Sequence, residues 1–183
     1  MSPVMEHTSV PQWALEPLVQ PLDPRASRCT ILSYAAAPVA ARWTDGLDEL
    51  SIPHRTLELA PREQASPDER RRVDAELRDA VVGWRLLIAG ALLDVLGTRS
   101  LALGAGLLDA EIIVGTTSVE ALPVTCAHCE TTMITSAAIA EVISCRGCQE
   151  ELLVHHHVSR RRGSFLGFKN DAEEWAPEGE AVE

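Results

Sequence analysis

The sequence predicts an α/β chain in two parts: a small open parallel sheet with helices on its faces, then a four-cysteine module. Two observations predict it. Residues 28–121 alternate short apolar runs with helix-patterned stretches, the signature of strands that lie parallel under covering helices. Two C-x2-C pairs then follow, Cys126/Cys129 and Cys145/Cys148, with fifteen residues between them. At 183 residues there is room for one ordinary domain and a small appended module. The expected divisions are a proline-rich arm over 1–27, the α/β domain over 28–121, the cysteine module with a His/Arg-rich strand over 122–168, and an acidic tail over 169–183.

The arm holds five of the eleven prolines: Pro3, Pro11, Pro17, Pro21 and Pro24. Each fixes φ and removes a backbone donor, so regular structure is not expected there. Val10, Trp13, Leu15, Leu18, Val19 and Leu22 are interspersed, which fits an extended arm lying against a surface. Residues 28–35 (RCTILSYA) form an apolar run expected to be a buried strand. Val39, Trp43, Leu47 and Leu50 recur at helical spacing, and Ser51-Ile52-Pro53 ends that helix. Residues 54–60 (HRTLELA) alternate as a strand does. Ser66, Pro67 and Glu69 then spell an N-cap, a first-turn proline and a capping box, followed by a stripe of Val73, Leu77, Ala80, Val81 and Trp84. Residues 84–89 (WRLLIA) are a third strand. Leu92, Val95, Leu96, Ala102 and Leu103 mark a helix weakened by Gly97, and residues 111–115 (EIIVG) a fourth strand.

In such a layout a dinucleotide sits at the strand C-termini, on a glycine-rich turn after the first strand. Here that turn is Tyr34-Ala35-Ala36-Ala37-Pro38. It has no glycine to let a pyrophosphate approach, and Pro38 deletes a donor. Gly104 and Gly106 are better explained as a helix C-cap and loop. A structural or docking domain is the expectation. Residues 84–115 resemble the last strand–helix–strand unit of ferredoxin-reductase nicotinamide domains, with Ala89-Gly90-Ala91 where those carry Cys-Gly-Pro. The resemblance implies a degenerate, reductase-like copy without cofactor chemistry.

Each C-x2-C turns tightly enough to present two thiolates to one ion, so Cys126, Cys129, Cys145 and Cys148 form a tetrahedral zinc site of the zinc-ribbon kind. Residues 131–136 and 140–144 are expected to be strands around the intervening turn. With four protein ligands such a site holds structure and keeps no position open for water. Iron in a rubredoxin-like site is the alternative. Rubredoxin-like knuckles usually carry glycine after the second cysteine and often proline after the first. Glu130 and Gln149, and Ala127 and Arg146, stand there instead, which favours zinc. His128 is expected to face solvent, and Cys29 to lie in the core.

His155, His156 and His157 follow the strand-like Leu152-Leu153-Val154. On a regular strand His155 and His157 share one face and His156 the other. No Asp, Glu or Cys stands at a spacing to complete a second metal site, so packing or contact with a partner subunit is expected. Arg160, Arg161 and Arg162 are three cations in a row, a fork array suited to anions or carboxylates. Phe165 and Phe168, the only phenylalanines, follow beside glycines. Arg160, Arg161, Arg162, Phe165 and Phe168 are the expected partner contacts; packing back onto the ribbon is the alternative for the aromatic stretch.

Residues 126–168, with the paired knuckles and the run VHHHVSRRRGSFLGF, resemble the small subunit (the DmmA family) of bacterial dimethylamine monooxygenase. The resemblance implies a multicomponent enzyme that demethylates dimethylamine to methylamine and formaldehyde with O₂ and NADPH. Haem would sit on one partner subunit, and flavin and an iron–sulfur cluster on a reductase subunit. This chain would be a non-catalytic accessory subunit. The sequence agrees, offering no nucleophile–base pair, phosphate loop or three-ligand metal site.

The charge is −11, from 27 acidic and 16 basic residues, which argues against a nucleic-acid partner because phosphate binding leans on surplus Lys and Arg. Six of the acids fall in the last thirteen residues, hence the expectation of a solvated tail. No apolar run approaches the ~20 residues of a membrane span, and the N-terminus lacks a signal-peptide layout. A cytoplasmic protein is expected, and an unpaired Cys29 suits a reducing compartment.

Overall fold

The computed structural model describes residues 9–170. The first eight residues of the arm and residues 171–183 of the expected acidic tail lie outside the described residues. The chain runs β1 (Arg28–Tyr34), α1 (Ala37–Glu49), β2 (His54–Leu59), α2 (Pro67–Arg78), β3 (Trp84–Ala91), α3 (Leu92–Gly104) and β4 (Ile112–Ser118). Then follow β5 (Leu122–Cys126), β6 (Thr132–Thr135), β7 (Val142–Ser144), β8 (Glu151–Ser159) and β9 (Ser164–Lys169).

The first four strands form one parallel sheet in the order β2-β1-β3-β4. The central β1 and β3 are apolar on both faces because both are covered. Trp43 and Leu47 of α1 pack on Ile31, Leu87 and Ile113, while Val73 and Leu77 of α2 join Leu32, Leu57 and Leu86 in the other core cluster.

Local chemistry sets the helix ends. At the start of α2, Ser66 accepts from the Glu69 amide (3.2 Å) and Glu69 accepts from the Ser66 amide (2.8 Å), closing the capping box. Glu69 also accepts from the Ala60 amide at 2.8 Å. That bond first, then those from Ser66, draws its carboxyl down to about 2. At the end of α1 the Ile52 amide reaches back to Leu47 O and the Ser51 amide to Asp48 O, both 2.9 Å. This is a Schellman turn, with Ser51 at φ 54 in the left-handed position that glycine usually holds.

The remaining strands form a second sheet, β6-β5-β9-β8-β7, antiparallel except for the β5–β9 pair. Helix α3 lies between the two sheets, which explains why Leu92, Val95, Leu96, Thr98, Arg99 and Ala102 are buried around most of its circumference. One cluster joins Leu86, Leu96 and Ala102 to Val124, Leu152, Val158 and Phe165, so the two sheets share a core.

The described part of the arm is tied down along β4. Val19 bridges Gly115, the Gln20 amide donates to Val114 O (2.9 Å), and the Val114 amide donates back to Gln20 Oε1 (2.8 Å). Thr116 Oγ1 donates to the Trp13 carbonyl at 2.7 Å, and Trp13 itself is buried. The arm thereby covers a sheet edge that would otherwise expose unpaired donors and acceptors. Among the described residues no helix is long and apolar enough to cross a membrane.

Candidate metal centre

Two copies of one turn build the site. Cys126 ends β5 and Cys145 follows β7. In the first turn the Cys126 amide donates to Thr131 O (3.0 Å) and the Glu130 amide to Cys126 O (3.0 Å). In the second the Cys145 amide donates to Glu150 O (2.8 Å) and the Gln149 amide to Cys145 O (2.9 Å). Glu130 (φ 60) and Gln149 (φ 65) occupy the matching left-handed position in each. The two turns are thus alike in backbone as well as in cysteine spacing.

The geometry fits one tetrahedral ion. Metal–sulfur distances of ~2.3 Å place sulfurs about 3.8 Å apart around a tetrahedron. Cys126 and Cys148 Sγ are 3.8 Å apart, Cys129 and Cys145 Sγ 3.6 Å, and all four lie within 4.8 Å of one another. Cys126 and Cys145 are buried, Cys129 and Cys148 half-buried. Backbone amides face the sulfurs: His128 and Cys129 N lie 3.4 and 3.5 Å from Cys126 Sγ, and Gly147 N 3.4 Å from Cys145 Sγ. Amides of Thr131 and Glu150 act on Cys129 and Cys148. Such donors offset the charge that four thiolates concentrate around a divalent ion. Among the described residues this is the one group of His, Cys, Asp or Glu able to hold a metal.

The thiols are not equivalent without metal. The Thr131 hydroxyl, then its amide, draws Cys129 down to about 6 against the opposing effect of desolvation. The Glu150 amide draws Cys148 down as well, but desolvation and the neighbouring sulfurs of Cys145, Cys129 and Cys126 outweigh it and push the thiol up to about 12. Metal entry must displace whichever protons remain.

Three supporting residues escape a reading of the cysteines alone. Thr131 Oγ1 lies 3.3 Å from Cys129 Sγ. Gly147 has no room for a side chain: a Cβ there would overlap Thr131 Oγ1 and stand 2.9 Å from Cys129 Sγ. Glu130 accepts an ion pair from Arg162 at 2.5 Å, tying the arginine turn to the first knuckle. The glycine inside the second C-x2-C was the available signal for one of them. His128 is exposed. Cys29 is buried, and desolvation pushes its thiol up to about 11, as suits a core position.

The expected contact stretch divides in two. Phe165 is fully buried in the shared core, pairing with Val124 on one side and Val158 on the other. It has no surface to offer a partner, so that expectation is corrected: the aromatic packs back onto the sheet. Phe168 is half-buried with its ring edge-on to His155, centroids 5.0 Å apart. Arg160 and Arg161 are exposed and form no ion pair among the described residues, whereas Arg162 is spent on Glu130. The turn that presents them is tied to its surroundings. The Gly163 amide bonds Ser159 O (2.8 Å), Ser100 Oγ donates to Arg161 O (2.6 Å), and a Cβ on Gly163 would meet Leu96 O at 2.5 Å.

The histidines also differ from a regular strand. Val154 pairs with Gly167 and Val158 with Phe165, so His155, His156 and His157 together face one residue, Leu166. They form a bulge, which breaks the simple alternation of faces. His157 Nδ1 meets Ser9 Oγ at 2.9 Å, and Ser9 Oγ also accepts from the Val158 amide (3.2 Å), so the bulge anchors the arm.

Comparison with known proteins converges on this part of the chain. Residues 123–168 match the family model described as the dimethylamine monooxygenase subunit DmmA-like, C-terminal domain. A heme-dependent oxidative N-demethylase delta subunit from Ectopseudomonas mendocina (strain ymp) is 37% identical over 98 residues, 54% of this chain and 55% of that protein. The chain therefore spans about half the length of the curated relative it matches. No solved structure matches. Residues 123–168, which carry all four cysteines, are thus similar to the C-terminal domain of DmmA-like subunits.

Proposed function

We propose that the chain is a non-catalytic accessory subunit of a dimethylamine monooxygenase complex, holding the haem-bearing and the flavin/iron–sulfur subunits together through a structural zinc ribbon. The carrying observation is the closed set of four cysteine sulfurs at tetrahedral spacing inside the family-matched segment. Four thiolates leave a zinc ion no open position for water or substrate, so its contribution is to folding. The ion would cross-link the β5–β6 and β7–β8 turns and thereby hold the second sheet in shape.

The complex would perform NADPH- and O₂-dependent oxidative demethylation of dimethylamine in the cytoplasm, with haem, flavin and iron–sulfur cluster on the partners. The parallel sheet serves as a degenerate, reductase-like platform: its first turn lacks glycine, although Ala35 still adopts φ 48. Of the three arginines in the turn, Arg160 and Arg161 are the two left to meet a partner's carboxylates.

The test is co-purification of the chain with its partner subunits. Deleting the arginine stretch through Phe168 would remove β9 and the core with it, so the informative change is Arg160→Glu with Arg161→Glu. Loss of the complex with metal content retained is the expected result; an unchanged complex would overturn the assignment of this turn. A rubredoxin-like iron carrier is the second reading, favoured by the backbone amide that every one of the four sulfurs receives. Visible absorption separates the two.

A further inference from the structure

A second site lies away from the cysteines. At the C-terminal edge of the parallel sheet, over the ends of β1 and β2 and between α2 and α3, is a cavity of about 310 Å³. This is the edge on which open α/β sheets bind ligands, and the size lies at the lower end of small-molecule sites. Leu59, Val73 and Leu101 give apolar walls beside Tyr34, and the charged lining is Arg62 and Arg70 with the carboxylates of Glu69 and Asp74.

Neither guanidinium forms an ion pair among the described residues. Arg62 is held in place: its amide donates to Asp94 Oδ1 (2.7 Å), Nη1 lies 3.4 Å from Thr98 Oγ1, and the fork rests on Gly97, where a Cβ would stand 2.6 Å from Nε. Most of its donors remain unspent. Arg70 stands on α2, and Asp74, four residues on, makes no ion pair with it. Glu69 lines the cavity as a carboxylate, but its two oxygens accept from the Ala60 and Ser66 amides and neither forms an ion pair with Arg62 or Arg70. Tyr34 is buried and its hydroxyl receives the Thr98 hydroxyl at 2.9 Å, which leaves its own proton to give. Burial raises that phenol above its ordinary value and keeps it a donor.

The same surroundings argue against a phosphate group. Phosphate sites use free amides at helix N-termini. Glu69 occupies the start of α2, and Asp94 takes the Ala91 and Arg62 amides at the start of α3. Carboxylates need only a guanidinium fork.

We propose that this cavity binds a small organic carboxylate, with Arg62 and Arg70 holding the carboxylate and Leu59, Val73 and Leu101 receiving an apolar body. The site is independent of the metal centre and of the accessory-subunit reading. The test is titration of the metal-loaded full chain with benzoate and with butyrate, followed by calorimetry and amide NMR shifts. Inorganic phosphate and ADP serve as comparison ligands. Saturable one-site binding of a carboxylate, shifts centred on Tyr34 and Arg62, and about tenfold weakening by Arg70→Gln are expected. Arg62→Gln should weaken it as much; because Arg62 also packs on α3, the rim variant Arg70→Gln is the deciding one. No saturable response to either carboxylate, tighter binding of phosphate or ADP, or binding indifferent to Arg70→Gln would each overturn the proposal.

Discussion

The same substitution at two glycines should have opposite signs. At Gly147 an added methyl group would overlap Thr131 Oγ1 and stand 2.9 Å from Cys129 Sγ, about an ångström inside normal contact. The neighbours are a metal ligand and the residue that orients it, so neither can retreat without spreading the sulfur tetrahedron. Overpacking of this kind costs about 1–3 kcal/mol, which is about 5- to 150-fold in metal affinity. At Gly104, the last residue of α3, an added Cβ meets nothing within 4 Å. Removing glycine's backbone freedom there should stabilise the chain by about 0.5–1 kcal/mol. The assays are chelator competition for metal affinity and urea unfolding of the metal-loaded chain. Gly147→Ala should lose affinity while Gly104→Ala keeps it and unfolds at higher urea. Unchanged metal affinity in Gly147→Ala would refute the claim that this glycine is there to clear the cluster.

Phe165→Ala should cost about 3–5 kcal/mol of folding stability by denaturant titration, because the ring is fully buried between the second sheet and its neighbours. A cost under about 1 kcal/mol would contradict its place in the core. Ser51→Gly should raise stability by about 1 kcal/mol, relieving the left-handed residue of the Schellman turn. Glu69 is drawn down to about 2 from an ordinary 4.5, so its stabilising contribution is present above pH 4.5 and is lost as pH falls towards 2. Melting temperatures of the chain and of Glu69→Gln should therefore converge over that window; curves that stay parallel would remove the carboxylate from the capping network.

The legible parts of the sequence were those with local signals. Periodic apolar residues and strong breakers placed all four parallel strands and three helices, and the Ser66–Glu69 box located the start of α2. The expected stripe overran its end: α2 stops at Arg78, Val81 is exposed and Trp84 belongs to β3. The cysteine pairs announced their own cluster. Illegible were features that depend on distant packing. β5 carries Pro123, which fits because its pairing with β9 begins only at Val124. β9 contains Gly167, whose missing side chain makes room for Val124 and Leu152. Neither strand alternates in a way that identifies it, which is why the phenylalanine stretch reads as surface when half of it is core. Gly97 looks like a flaw in α3 until Arg62 is found lying across it. The histidine run has no local cue for a bulge, since the bulge arises from the register of β8 against β9.

The most direct test of the metal centre is metal analysis with visible absorption on the chain purified under reducing conditions without added metal. One zinc per chain in a colourless solution, with the four clustered thiols unreactive until a chelator is added, is the predicted result. One iron per chain with bands that bleach on reduction would instead make the chain an electron carrier. No stoichiometric metal, with all four thiols freely reactive in the folded chain, would contradict the centre itself.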